Sequence, residues 1–164
     1  MKEEVERIWD YNFWSAEKIL SKLQELKNED FLKDLGDGCG SIRDKLVHIL
    51  GADKIWIERI RNEINPFLNS NEIPTLEIYV NEQKNLHSQY KILINNLDET
   101  KLIEMINYKN LKGKEFHTPL FEILLHVANH ATYHRGQAAS LIRRINGKPP
   151  VTDMIEYFRE KKGK

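Results

Sequence analysis

The chain has a single cysteine, Cys39, so no internal disulfide can hold it together, and a reduced compartment is expected. No stretch approaches the ~20 successive apolar residues that a membrane helix needs. No apolar stretch of signal-peptide type follows the opening Met1-Lys2-Glu3-Glu4. The cytoplasm is therefore the expected location. Neither sign of charge is in excess, with 25 Lys plus Arg against 25 Asp plus Glu. That balance removes any general attraction to nucleic acid or to an anionic membrane. Repeats, low-complexity segments and a dividing linker are also missing, so residues 1–164 are expected to form one domain. A chain of this length buries about two thirds of its unfolded surface and needs no staple.

What is there is helical periodicity. Residues 2–27 space Val5, Ile8, Ala16, Ile19, Leu23 and Leu26 as one face of a first helix. Residues 34–40 hold three glycines and read as a loop. Ser41 then caps a second helix, with Asp44 placed to complete a capping box. Ile42, Leu46, Ile49, Leu50, Trp56, Ile57 and Ile60 form its face, and it ends near Asn62, before Asn65-Pro66. A third helix is expected from Thr75 to Leu97. Residues 104–117 lose the helical pattern, and a turn from Asn110 to Gly113 joins two short extended pieces into a hairpin. Thr118 and Pro119 read as the cap and first turn of a fourth helix, which runs to about Asn146 with Gly147 as its C-cap. Thr152-Asp153 opens a short final helix. The expected fold is all-α: a four-helix bundle with a short hairpin before the fourth helix and a short C-terminal helix.

Six histidines stand out: His48, His87, His117, His126, His130 and His134. Three of them fall at steps of four on the fourth helix, so each stands over the next with a drift of about 40°. Against the stripe of Leu124, Val127, Ala131, Ala138 and Ile142, both His130 and His134 point inward. Buried imidazoles need partners, because an unsatisfied polar group in a core costs ~1–3 kcal/mol. A His-x3-His pair on one helix face can hold a metal ion through two nitrogens. A single histidine there would more simply be a hydrogen-bonded core residue; the pair favours the metal. Periodicity leaves the third ligand open between His48, on a flank with Ala52 and Ile55, and His126, which reads as a supporting or core residue. His87 and His117 read as surface residues. Asp53 falls near the middle of an apolar face, where it either orients an imidazole or makes a salt bridge to another helix. Asn129, Tyr133, Gln137 and the three tryptophans read as packing residues, Arg135 as half of an ion pair. Cys39 has no evident base beside it. A di-iron carboxylate bundle fits poorly, since it needs inward Glu-x-x-His pairs on two helices and no Glu-x-x-His occurs.

Two stretches resemble the DinB/YfiT-like superfamily. Ser41-Ile-Arg-Asp-Lys-Leu-Val-His48 and the residues on to Trp56 look like its second-helix ligand segment. His126-Val-Ala-Asn129-His130-Ala-Thr-Tyr133-His134-Arg-Gly-Gln137 is similar to its fourth-helix signature. Tyr11-Asn-Phe-Trp14 and Lys148-Pro-Pro-Val-Thr-Asp153 also fit, so the resemblance spans nearly the whole chain. It implies an up-down-down-up bundle of DinB/YfiT type and a metal held by His48, His130 and His134. It also implies homodimers and, in some members, transfer of low-molecular-weight thiols. Three neutral imidazoles leave a divalent ion its charge and an open position, the pattern of catalytic sites, where a bound water or thiol becomes more acidic. Zn²⁺, Ni²⁺ and Fe²⁺ suit three histidines equally. The expected function is a metal-dependent thiol transferase or hydrolase acting on a small molecule. The alternative is a non-catalytic metal-binding stress-response protein. Which residues are catalytic is not legible.

Overall fold

The computed structural model describes the chain apart from residues 37, 64–67, 69, 147 and 164 and the side chains of 70 and 146. Four long helices carry the fold: α1 (Lys2–Leu23), α3 (Ile42–Ile60), α4 (Leu76–Asn95) and α6 (Leu120–Asn146). Short helices α2 (Asn28–Leu32), α5 (Glu99–Leu102) and α7 (Met154–Lys162) join or follow them. A two-stranded antiparallel hairpin, β1 (Met105–Lys109) and β2 (Glu115–Pro119), precedes α6. No helix among the described residues is long and apolar enough to cross a membrane.

The long helices close a ring: α3 packs on α4 and α6, and α1 packs on the same two. Their inward stripes meet in one cluster that includes Trp9, Leu23, Leu46, Ile57, Tyr90, Leu124 and Val127. Trp9 stacks on Tyr90 with ring centroids 4.3 Å apart, joining α1 to α4. Each buried aromatic of this kind removes a large apolar area from water, the main favourable term for a helix face.

Local chemistry sets the start of α3. Ser41 Oγ accepts from the Asp44 amide at 3.0 Å, and Asp44 Oδ2 accepts from the Ser41 amide at 2.9 Å. The preceding Gly40 has φ +68°, and a Cβ there would stand 3.1 Å from Asp44 Oδ2. Only glycine reaches this turn without strain and leaves the cap intact. The helix ends at Ile60, and Asn62, just past its C-cap Arg61, takes φ +57°.

Several expectations need correction. The first helix stops at Leu23, and α2 and α5 were not expected. Pro119 is the last residue of β2, paired with Met105, rather than the first turn of α6. The Asn65-Pro66 break and the Gly147 cap fall outside the described residues. His87 is buried, not on the surface.

Candidate metal centre

On α3, His48 faces His130 and His134 on α6, at centroid distances of 5.1 and 4.4 Å. Two turns further along α3, Trp56 meets His126. Numbers rise on α3 as they fall on α6, so the two helices run antiparallel. The one-turn spacing of the α6 pair is thereby matched by a single residue across the groove. One ligand atom from each of His48, His130 and His134 lies within 4.8 Å of the others. Nitrogens about 2.0–2.1 Å from a common tetrahedral ion stand roughly 3.4 Å apart, so closing on an ion asks for side-chain shifts of no more than about 1 Å.

The trio sits on the flank of the bundle. His130 and His134 are half-buried and His48 is exposed, so the inward orientation expected of the α6 pair is only partly realised. Burial, then the neighbouring imidazoles, pull His130 down to about 4. Burial and the nearby His134 lower His48 as well. Neutral imidazoles with free lone pairs are the form a cation requires. His130 Nδ1 is buried and has no hydrogen-bond partner among the described residues. Gln137 Oε1 accepts from His134 Nδ1 at 2.8 Å, which fixes the tautomer and leaves Nε2 with its lone pair. Three imidazoles, one held by a carbonyl and one with an orphaned nitrogen, form a donor set that fits a divalent ion.

The other singled-out residues are dispersed around this centre. His126 is exposed, with its ring against Trp56 and, at 6.0 Å, His130. Tyr133 is 65% exposed and sets its ring edge-on to His134 at 4.9 Å, so it is not a core packing residue. Asn129 is exposed. His117 is exposed on β2 and pairs with Asn107. Cys39 is half-buried, and the Arg144 guanidinium donates to its Sγ at 3.3 Å.

Arg135 is buried and makes no ion pair among the described residues; it donates to Asn12 Oδ1 at 2.6 Å and Thr132 Oγ1 at 2.8 Å. Asp53 is buried, and among the described residues its Oδ1 has no hydrogen-bond partner and its carboxyl neither orients an imidazole nor forms a salt bridge. The orienting role of Gln137 went unread in the sequence, although its place three residues after His134 on a helix was a usable signal.

A cavity of about 580 Å³ lies between the end of α3 and the hairpin, lined by Ile55, Arg59, Tyr108, Leu111 and Phe116 among others. None of the three histidines lines it. Arg59 closes the side nearest Trp56. Its guanidinium lies 4.7 Å from the Trp56 ring and 5.0 Å from the Tyr108 ring, and it donates to the Lys109 carbonyl at 3.0 Å.

Among known proteins, the chain is 25% identical over 166 residues to Protein DinB of Bacillus subtilis (strain 168), covering 93% of this chain and 92% of that one. A crystal structure of a conserved protein from Enterococcus faecalis superposes with a TM-score of 0.67 at 11% identity. That likeness covers 86% of this chain and 96% of the other, and it supports the helical fold. A sequence model of one family matches residues 1–163, and on that match the chain belongs to the DinB family.

Proposed function

We propose that His48, His130 and His134 hold one divalent metal ion, and that the protein is a metal-dependent thiol transferase or hydrolase acting on a small molecule. The convergence of three imidazoles from two antiparallel helices supports this reading most. Such an ion, when bound, acts as a Lewis acid and makes a coordinated thiol or water more acidic near neutral pH. The protein's own part is to orient and expose the site. Gln137 holds the His134 ring, the exposed edge of His48 leaves an approach from solvent, and Tyr133 forms an aromatic wall beside it.

A second reading is a metal-binding protein without turnover. The placement of the 580 Å³ cavity, away from the three histidines, favours it. Metal analysis of protein purified without an affinity tag, followed by a screen pairing low-molecular-weight thiols with electrophiles, separates the readings. One ion per chain with turnover supports the enzyme. One ion without turnover supports the second reading, and no ion removes both.

A further inference from the structure

Inside the ring of helices, α3 and α4 face each other across a second, much smaller void. It has about 10 Å³ open to the centre of a water molecule. Its walls are Ala16, Ile19, Leu46 and Ile49 on the apolar side, and Asp53, Tyr79, Gln83, His87 and Arg135 on the polar side. Asp53 is 1% exposed, and its Oδ1 has no hydrogen-bond partner among the described residues. The other polar walls are already ordered. Tyr79 donates to Gln83 Oε1 at 2.9 Å, and Gln83 Nε2 donates to His87 Nε2 at 2.5 Å. Arg135 is anchored to Asn12 and Thr132.

We infer that this void is a binding site for one internal water molecule, which donates to the Asp53 carboxyl and accepts from the polar groups opposite it. Size sets the ligand at a single heavy atom, since a void of this volume holds about one water. Hydrogen bonding sets the rest. The unpartnered carboxyl oxygen accepts a bond, whereas the guanidinium can only donate one. A cation such as ammonium can donate to the carboxyl but has no lone pair for Arg135. Water satisfies both. The site has a consequence for the surface above it. Asp53 follows His48 on α3 and Arg135 follows His134 on α6, so a water bridging them ties together the two helices that carry the histidines. This inference does not depend on a bound metal.

A crystal structure of the metal-free full chain, at a resolution that shows ordered solvent, tests it. One water peak within hydrogen-bond distance of the Asp53 carboxyl and of at least one of Arg135, Tyr79 or Gln83 is the expected result. A dry void, or a carboxyl bonded directly to the Arg135 guanidinium with the void closed, overturns the inference. In solution, cross-relaxation between a long-lived water and the side-chain protons of Gln83 and His87 is expected in the wild type and in Asp53→Asn. It is expected to vanish in Asp53→Leu. Its absence from the wild type overturns the inference, as does its persistence in a folded Asp53→Leu protein. Where Asp53→Leu does not fold, the wild type and Asp53→Asn decide the matter alone. Metal content in the wild type is read separately, so failure here leaves the histidine site standing.

Discussion

His134 Nδ1 lies 2.8 Å from Gln137 Oε1, one helical turn away on the same face of α6. A carbonyl oxygen only accepts, so the proton resides on Nδ1 and the lone pair on Nε2. Such outer partners of a ligating histidine raise its basicity and lock its ring. Gln137→Leu is expected to weaken metal binding by about 10–100-fold with the fold retained, and Gln137→Glu to preserve it. Competition titration with a chromophoric chelator measures both. Equal affinity in wild type and Gln137→Leu would separate this bond from any role at the metal.

The Ser41–Asp44 capping box holds the first turn of α3, less than two turns before His48. Ser41→Ala removes one acceptor from a buried helix start and is expected to cost about 1–2 kcal/mol. For a chain of this length that is a fall of several degrees in Tm by calorimetry. Gly40→Ala is expected to destabilise as well, because it strains a φ of +68° and crowds Asp44. A silent Ser41→Ala would mean the cap does not limit the helix.

Burial, then Lys91 and Arg135, lower His87 from 6.5 to about 4. In the unfolded chain this histidine takes a proton below pH 6.5, while in the fold it stays neutral down to about 4. Its contribution to stability is therefore complete above pH 6.5 and drains away as the pH falls towards 4, by up to about 3 kcal/mol. Asp53 acts in the opposite direction. Burial, against the pull of Arg135, raises it to about 8, so its contribution is fullest in acid and is lost as pH rises through that value. The two trends overlap, so the test is a difference. The stability of wild type relative to His87→Gln, from urea unfolding at several pH values, should decline between pH 7 and 4. A flat difference would place His87 in contact with solvent.

Much of the bundle is legible in the sequence because its signals are local. The stripe from Ile42 to Ile60, the Ser41 cap and the Asn110–Gly113 turn each depend on neighbours within a few residues. What was missed depends on distant partners. Pro119 is drawn into β2 by pairing with Met105, which a local cap-and-proline pattern does not contain. Tyr79, Gln83 and His87 repeat at steps of four and face inward, yet their setting is made by Phe13 on α1, Asp53 on α3 and Arg135 on α6. The α6 histidines were legible as a pair, while their half-buried place on the flank follows from how α3 and α6 cross.

The reading stands on three side chains sharing one cation. Calorimetric titration of tag-free protein with Zn²⁺, for wild type and His130→Ala, measures this directly, with circular dichroism to confirm that both are folded. One ion per wild-type chain and at least about 100-fold weaker binding by the folded variant is the predicted result, in line with the loss of one of three ligands. Equal stoichiometry and affinity in the two proteins, or no binding by the wild type, would contradict it.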